Sequence, residues 1–226
     1  GRAQASYVKQ LGMAADTVRL GYNVVDNSFF KSRAAMVKKD AAALRRDYEL
    51  PSRFFLTTAR LIEKKNLSSL LEAYSAYRIE ASPQQVRDLV VLGDGELRSA
   101  LEEETNALGL SNYVYYPGFK QIDELPIYYG LADAFILPSL SEQWGLVVNE
   151  AMASGLPVLV SDRCGCAVEL VEEGVNGYRF PPTDTSALTT LMLRLSRLDN
   201  GSLADMGSAS KVIIERWSPD VFRTNA

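Results

Sequence analysis

The sequence contains no histidine and only two cysteines, and both deficits limit its chemistry. A mechanism that needs an imidazole base must obtain it from outside these 226 residues. A zinc site usually has four ligands, and no histidine is present to complete one beside the two cysteines. Cys164 and Cys166 stand one residue apart, a spacing that ordinary disulfide geometry rarely accommodates. We therefore expect both thiols to be reduced, which favours a cytoplasmic location.

Two further absences concern membranes and nucleic acids. No run of about 18 or more apolar residues is present, so we expect no membrane-spanning helix in this sequence. The net charge of −4 disfavours bulk binding of nucleic acid. Lys38-Lys39 and Arg45-Arg46 lie in a predicted helix over residues 32–48. Their contact with the surface of a membrane is an alternative to a solvated helix face.

The composition, with 47% hydrophobic and 23% charged residues, is that of a packed domain. Short apolar runs alternate with helical segments from Arg53 onward. The predicted strands cover residues 54–58, 89–92, 113–116, 134–137, 158–161 and 178–180. The predicted helices cover residues 67–79, 97–108, 123–131, 146–154, 167–173, 184–198 and 203–215, with Asn66 and Asp184 as N-caps. This alternation predicts an α/β fold with a doubly wound, parallel, six-stranded Rossmann-like sheet, commonly ordered 3-2-1-4-5-6.

The flanks of this sheet are predicted separately. Residues 1–50 are expected to form an N-terminal arm or hinge, with a short helix over 6–12, a short strand at 18–20 and the helix over 32–48. Residues 51–215 are expected to form the domain, and residues 216–226 a truncated C-terminal segment. Because the chain starts without Met and stops just after a helical pattern, we expect it to be a piece of a longer protein.

The most informative stretch follows the fourth predicted strand. Residues 138–157 read PSLSEQWGLVVNEAMASGLP, with Glu142 on a short loop, a helix that begins near Gly145, and Glu150 inside that helix. Helical side chains lean toward the helix N-terminus, so Glu150 can point back toward the crevice beside Glu142. Unpaired backbone N–H groups at the helix start favour an anion. Carboxylates for sugar hydroxyls beside amides for phosphate suggest a site for a nucleotide sugar.

Arg60 and Lys65 follow the first predicted strand. In the order 3-2-1-4-5-6, strands one and four are neighbours, so the loops after them face one crevice. Two cations at that crevice suit a pyrophosphate, since a guanidinium binds it through paired hydrogen bonds and an ammonium acts as a point charge. The alternative is a pair of surface cations, one of them paired with Glu63.

Gly93 and Phe119 follow the second and third predicted strands. The Gly93-Asp94-Gly95 turn lacks the Gly-x-Gly-x-x-Gly fingerprint, so a tight strand-to-helix turn is as good an interpretation as phosphate binding. Gly118 would let the backbone approach a ligand closely. Phe119 either packs against a base or simply covers the end of the sheet.

The string 138–157 resembles the signature of the retaining GT-B glycosyltransferases of the "group 1" family. In that signature, two glutamates are separated by seven residues, with Gly-Leu or a similar pair between them. Glu142 and Glu150 match the spacing, and Gly145-Leu146 matches the interior. The resemblance extends over about residues 53–182. It implies that this chain is the C-terminal donor-binding domain of such an enzyme, one half of a GT-B architecture.

The resemblance also implies a catalytic group. Arg60 and Lys65 match the cations that contact the donor phosphates, and Glu142 matches the glutamate that contacts the donor sugar. The family often has Gly before the Arg, where this chain has Ala59, a small departure. These two cations would stabilise the charge that grows on the leaving diphosphate.

The same resemblance implies the donor-binding residues. Glu150 matches the glutamate that binds the ribose hydroxyls, and the amides near Gly145 and Leu146 would meet the sugar or the distal phosphate. Gly93 matches a turn near the donor pocket. The loop that carries Phe119 matches the one that holds the nucleobase.

The implied reaction moves a sugar from a nucleoside-diphosphate sugar to an acceptor hydroxyl with retention of configuration. The resemblance implies no metal and no cofactor. An acceptor glycan, lipid or small molecule is expected to bind through a missing N-terminal domain, so this piece alone is expected to be inactive. The alternatives are a non-catalytic nucleotide-sugar-binding module and a nucleotide-sugar epimerase of related fold.

Overall fold

The computed structural model describes residues 1–18 and 21–225. The strands are β1 (Phe54–Thr58), β2 (Asp88–Leu92), β3 (Val114–Gly118), β4 (Ala134–Leu137), β5 (Val158–Ser161) and β6 (Gly177–Phe180). The α-helices are α1 (Arg2–Gln10), α2 (Asn27–Val37), α3 (Ala41–Asp47), α4 (Leu67–Glu80), α5 (Arg98–Ala107), α6 (Leu125–Leu131), α7 (Leu146–Ala153), α8 (Ala167–Leu170), α9 (Thr185–Ser196), α10 (Asn200–Ile214) and α11 (Pro219–Asn225). The bounds predicted for β1, β4 and β5 are confirmed to the residue.

The strands form one parallel sheet in the order β3-β2-β1-β4-β5-β6. The predicted doubly wound α/β fold and its strand order are thereby confirmed. The direction in which strands are added reverses between β1 and β4, which pair directly, with Phe55 opposite Ala134. In such sheets, ligands bind in the crevice at the carboxyl ends of the two strands where this reversal occurs. The loops after β1 and β4 therefore lie where a binding site is expected.

Both faces of the sheet are covered, which explains why its strands are continuous apolar runs rather than alternating patterns. Successive residues of β1 point to opposite faces. Phe54 and Leu56 pack into one core cluster with α6 and α7, and Phe55 packs into a second cluster with α4 and α9. All three side chains are fully buried. Two helix layers thus hold the sheet rigid and leave its carboxyl edge to the loops.

The single helix predicted over residues 32–48 is wrong. Two helices occupy this region, with a 3₁₀ turn at Lys38–Asp40 between them. α2 begins earlier than predicted because the Asp26 side chain accepts a backbone N–H at 2.9 Å as its N-cap. The break allows α2 to bury Phe30 against α6, while α3 turns so that Arg45 donates to two backbone carbonyls. Residues 27–50 therefore contribute to the core, and the division of the chain at residue 50 stays a prediction.

The other deviations lie at ends of elements. α1 begins and ends earlier than the helix predicted over 6–12, and the strand predicted at 18–20 falls on Arg19 and Leu20, which lie outside the described residues. The helix predicted over 167–173 is shorter than expected and ends at Leu170. It stops because the Asn176 side chain donates to a carbonyl of that last turn at 2.9 Å and accepts the next free N–H at 2.8 Å.

The two predicted N-caps behave differently. Asp184 accepts the N–H of Ala187 at 2.9 Å, as an N-cap should. Asn66 occupies the N-cap position of α4 in a left-handed conformation, but its side chain accepts no backbone N–H there. Its amide points elsewhere, into the loops of the candidate site. Throughout the ranges that the structure describes, no helix is both long enough and apolar enough to cross a bilayer.

Candidate functional site

A cavity of about 490 Å³ opens at the carboxyl edge of the sheet, beside the junction of β1 and β4. It is bounded by the loops after β1, β2 and β3 and by the inner face of α7. Its lining residues are Thr58, Ala59, Arg60, Lys65, Leu92, Gly93, Asp94, Phe119, Lys120, Leu125, Val147 and Glu150. Five of the predicted site residues are among them, and they come from four separate loops and helices of the chain.

Arg60 is held at the cavity by backbone hydrogen bonds between the loops after β1 and β2. The N–H of Ala59 donates to Leu92 at 2.9 Å, and the N–H of Leu61 donates to Asp94 at 2.9 Å. The residue between these anchors is Arg60, whose side chain is exposed. It forms no ion pair within the described part of the chain, and the alternative pairing with Glu63 is not observed. Its guanidinium therefore has no ion-pair partner among the described residues.

Gly93 has a structural reason to be glycine. Its φ is +128°, and a Cβ there would lie 1.8 Å from the carbonyl oxygen of Ala59. Only a residue without a side chain allows the two loops to approach this closely. The tight-turn interpretation of this glycine is thus sufficient, and its contribution to the cavity is to bring the loop of Arg60 into place.

Lys65 and Glu142 contact each other directly. The Lys65 ammonium donates to Oε2 of Glu142 in a short ion pair, and the two side chains are only 14% and 15% exposed. Sequence reasoning placed these residues on facing loops but missed their contact. No sequence signal reports such a pair, because it depends on side-chain distances across 77 positions of the chain.

Asn66 explains why those loops meet. Its side-chain amide donates to the carbonyls of Pro138 at 3.1 Å and Pro182 at 2.8 Å. These carbonyls belong to the loops after β4 and β6. In addition, the N–H of Leu140 donates to the carbonyl of Lys64 at 2.9 Å. One amide thereby ties three strand-end loops together and fixes the position of the neighbouring Lys65.

The loop that carries Glu142 is also anchored to the loop after β5. The N–H of Gly165 donates to the Glu142 carbonyl at 2.9 Å, and the N–H of Cys166 donates to Trp144 at 3.2 Å. Cys164 and Cys166 are buried and not linked to each other. Burial, followed by the nearby Glu142 carboxylate, raises the pKa of the Cys164 thiol to about 12. This thiol is therefore neutral and its role is packing.

Glu150 lies within α7 at the floor of the cavity. It accepts a hydrogen bond of 2.8 Å from the hydroxyl of Tyr129, a fully buried residue of α6. Burial raises the pKa of the Glu150 carboxyl above its ordinary value of 4.5, although the Tyr129 hydroxyl partly offsets this. Sequence reasoning missed Tyr129, since a tyrosine in an apolar helix carries no signal beyond packing. The bond orients one carboxylate oxygen and leaves the other for a ligand.

The remaining predicted residues take different positions. Phe119 lines the cavity and is 66% exposed, so one ring face is open. Gly145 and Leu146 begin α7 but do not line the cavity; Leu146 is 42% exposed. Gly145 adopts a φ of +102°, and a Cβ there would lie 3.5 Å from Cγ of Glu142. The structure thus places Gly145 beside the Lys65–Glu142 pair instead of in the cavity.

The half-buried Glu150 carboxyl, whose pKa is raised by desolvation, predicts a pH-dependent stability. A pKa that is higher in the folded state than in the unfolded state means that stability falls as pH rises through the ordinary value of 4.5 toward the folded value. Glu150→Gln removes this cost, so we expect it to raise the free energy of unfolding at pH 7 by about 1 kcal/mol, with little gain at pH 4. Urea unfolding at both pH values measures this. Glu103→Gln, on the exposed face of α5, is the control; an equal gain at both pH values would contradict the interpretation.

Comparison with known proteins agrees with this geometry. The family model "Glycosyl transferases group 1" matches residues 41–212. The amylovoran biosynthesis glycosyltransferase AmsK of Erwinia amylovora is 36% identical over 148 residues, which cover 63% of this chain and 35% of AmsK. Anabaena Alr3699/HepE in complex with UDP superposes with a TM-score of 0.82 at 25% identity, over 99% of this chain and 60% of that chain.

A third comparison is with an isolated C-terminal domain. The C-terminal domain of LpcC, a group 1 glycosyl transferase from Francisella tularensis, has the same fold, with a TM-score of 0.71, 20% identity and coverage of 86% of this chain and 99% of that chain. The chain spans between a third and a half of the length of the first curated relatives that it matches. It belongs to the group 1 glycosyl transferase family, and its fold is that of the C-terminal domain of a GT-B enzyme. The family predicted from the two spaced glutamates is confirmed.

Proposed function

We propose that this chain is the donor-binding domain of a glycosyltransferase that moves a sugar from a nucleoside-diphosphate sugar to an acceptor hydroxyl with retention of configuration. One observation carries the proposal: Arg60, Lys65 and the half-buried Glu150, from two distant parts of the sequence, line a single cavity. Cations suited to a diphosphate and a carboxylate suited to ribose hydroxyls thus share one space. The UDP in the HepE structure is consistent with a ligand of this class.

Glu150 and Phe119 would hold the nucleoside. The Glu150 oxygen not used by Tyr129 accepts a ribose hydroxyl, and burial makes this hydrogen bond stronger than it would be in water. Phe119, at the other end of the cavity, offers its exposed ring to the base. The cavity volume of about 490 Å³ is within the range of small-molecule sites.

Arg60 and Lys65 would hold the diphosphate and assist its departure. Arg60 has no carboxylate partner among the described residues, so its guanidinium can bind two phosphate oxygens at once. The arriving phosphate competes with Glu142 for Lys65, and the released Glu142 turns to the hydroxyls of the donor sugar. Each well-placed charge of this kind can contribute about 3–4 kcal/mol to the stabilisation of the leaving group. In this proposal the two cations make a metal or other cofactor unnecessary.

The acceptor side belongs to the rest of the protein. We propose that a second domain faces this cavity and supplies the acceptor site, and that the acceptor is a glycan, a lipid or a small molecule. A cytoplasmic setting is part of the same proposal, with contact of Lys38, Lys39, Arg45 and Arg46 to a membrane surface as the alternative to their solvation. Accordingly, residues 1–226 alone should bind donor nucleotide weakly and transfer little sugar. Robust transfer by this chain alone would contradict that division of labour.

Nucleotide titrations test the proposed roles. Calorimetry with UDP, GDP and ADP identifies the preferred base. Titration with the matching nucleoside then measures binding at the base and ribose end of the site without the contribution of the diphosphate. We expect Arg60→Ala to weaken binding of the nucleoside diphosphate by about tenfold to a hundredfold while leaving the nucleoside almost unaffected. Glu150→Ala should weaken the binding of both the nucleoside diphosphate and the nucleoside, because it removes the carboxylate that accepts the ribose hydroxyl.

Matched variants outside the cavity provide the controls. Arg163→Ala removes an exposed guanidinium, and Glu103→Ala removes an exposed carboxylate. Both should bind the nucleotide like the original chain. If Arg60→Ala and Glu150→Ala also bind it normally, the proposed roles are wrong.

A further inference from the structure

A second cavity, of about 510 Å³, lies at the opposite edge of the sheet from the candidate donor cavity. It is bounded by the segments that enter β1, β4 and β5, by α3 and by the start of α10. The lining residues that matter here are Lys38, Arg45, Arg53, Asp133, Gly155 and Asn200. Because it lies at the amino ends of the strands, no residue lines both cavities. Nothing in the proposed donor site uses it.

The acidic residue that lines this cavity is already paired with two arginines. Asp133 is its one acidic lining residue within the part of the chain that the structure describes. Its Oδ2 accepts a hydrogen bond of 3.1 Å from Nε of Arg87, a fully buried residue, and lies 3.7 Å from Nε of Arg53. Two guanidiniums therefore share one carboxylate, which leaves the wall with an excess of positive charge.

Arg45 adds to this excess. Its two terminal nitrogens donate to the carbonyls of Pro51 at 2.7 Å and Leu131 at 2.9 Å, which orient the guanidinium but do not neutralise it. Burial lowers the pKa of the Arg45 guanidinium, and attraction to Asp133 only partly offsets this. The Asp133 carboxylate is already paired with Arg53 and Arg87. The group is therefore a fixed, partly desolvated positive charge beside the cavity.

Two lysines, one in the lining and one beside it, add to the positive charge. Lys38 lines the cavity, and Lys211 of α10 lies next to the lining residue Gly155, where an added Cβ would be 3.2 Å from the Lys211 Cε. Neither ammonium forms an ion pair with any carboxylate of the described residues. Partial desolvation, followed by repulsion from Lys211, lowers the pKa of Lys38. These cations outnumber Asp133, the one carboxylate among the described lining residues, and this concentrates positive potential on a concave surface, which favours a bound anion.

We propose that this cavity binds a phosphate group. Lysine binds phosphate as a point charge, and a preoriented guanidinium adds directional donors. The phosphate can belong to a free phosphorylated compound or to the headgroup of an anionic phospholipid. Only one residue of each basic pair, Lys38-Lys39 and Arg45-Arg46, lines the cavity. Lys38 and Arg45 do so, whereas Lys39 and Arg46 lie outside it. Arg46 is instead paired with Asp47 at 3.2 Å.

Calorimetric titration with inorganic phosphate at constant ionic strength tests the proposal, with the ionic strength made up by chloride. We expect one saturable site whose affinity falls about tenfold in Lys38→Ala, the effect of removing one charge-assisted contact, and further in Lys38→Ala/Lys211→Ala. The exposed Lys39→Ala is the matched control and should leave affinity unchanged. Arg60→Ala serves as the second control, because phosphate could also enter the candidate donor cavity.

The pattern of the four variants decides the outcome. Loss with Lys38→Ala but not with Arg60→Ala supports the second cavity. Loss with Arg60→Ala but not with Lys38→Ala assigns the phosphate to the donor cavity and overturns the proposal, as does the absence of saturable binding. Failure here would leave the proposed transferase function intact, since that function depends on nucleotide binding at Arg60 and Glu150.

Sedimentation with vesicles distinguishes the two sources of phosphate. Vesicles of phosphatidylglycerol in phosphatidylcholine are compared with pure phosphatidylcholine vesicles. If a headgroup occupies the cavity, binding requires phosphatidylglycerol and falls in Lys38→Ala more than in Lys39→Ala or Arg46→Ala. If the ligand is a free phosphate compound, only the calorimetric site depends on Lys38. Vesicle binding that falls equally in all three variants, without a saturable phosphate site, would mean diffuse surface charge and would overturn the proposal.

Discussion

Gly93→Ala is expected to cause a large loss of stability, although it adds only a methyl group. The new Cβ would lie 1.8 Å from the Ala59 carbonyl oxygen, and the backbone φ of +128° is one that side chains rarely permit. The strained backbone costs about 1–2 kcal/mol, and the overlap costs about 1–3 kcal/mol more. We expect the free energy of unfolding, measured by urea titration, to fall by about 3 kcal/mol or more.

A second glycine provides the control. Gly109 also has a positive φ, of +70°, but a Cβ there would meet nothing within 4 Å. Gly109→Ala should therefore cost only the backbone strain, about 1 kcal/mol. Because Gly93 holds the loop of Arg60, Gly93→Ala should also lose nucleotide binding under conditions where it remains folded, whereas Gly109→Ala should keep it. Equal stability losses in the two variants would show that the close approach of the loops is not what the glycine serves.

Breaking the Lys65–Glu142 pair is expected to have the second large effect. Both side chains are mostly buried, so removing one leaves the other charge without a partner in a poorly solvated place. We expect Lys65→Met to lower the free energy of unfolding by about 2–4 kcal/mol, with a smaller loss in Glu142→Gln, whose amide oxygen still accepts a hydrogen bond. Lys65→Met/Glu142→Gln should recover part of the loss, because neither charge then remains.

Nucleotide binding separates these two variants further. Lys65→Met should weaken UDP binding, since the proposed phosphate contact is lost. Glu142→Gln should strengthen it, since the phosphate no longer competes with a carboxylate for Lys65. Lys31→Met is the control: Lys31 pairs with Glu215 at 3.4 Å, but both side chains are more than half exposed, so its removal should cost about 0.5 kcal/mol or less. A loss in Lys65→Met no greater than in Lys31→Met would exclude a stabilising role for the buried pair.

The sheet could be predicted from the sequence because its strands are bounded by strong signals. β4 is an unbroken apolar run that ends at a Pro-Ser pair, and β5 begins directly after the Gly-Leu-Pro stop of the preceding helix. Helices between successive strands then require parallel pairing through crossovers. The break at Lys38–Asp40 could not be predicted in this way. Its local residues favour a helix, whereas contacts with distant parts of the chain, such as the hydrogen bond from Arg45 to the Leu131 carbonyl, accompany the bend.

The candidate site was predictable to the level of its loops. Arg60 and Glu150 could be assigned to one crevice because strand order alone brings their segments together. The Tyr129–Glu150 hydrogen bond and the Lys65–Glu142 pair could not be foreseen, since they depend on side-chain positions between elements. The same applies to Asn66, which occupies the predicted cap position but uses its amide to join three loops. The individual catalytic and donor-binding roles stay predictions.

The packing of α2 and α3 has a practical consequence for building chimeric transferases from this family. Phe30 and Ala34 are each 1% exposed, and the buried Asn149 of α7 donates to the Asn23 carbonyl at 2.9 Å. A graft cut just ahead of β1 would strip this cover from α6 and α7, exposing Tyr129 and loosening the helix that bears Glu150. Exchange of this domain between relatives should therefore carry residues 21–50 together with the sheet, because the corresponding segment of the recipient would have to pack against an apolar surface formed by different side chains.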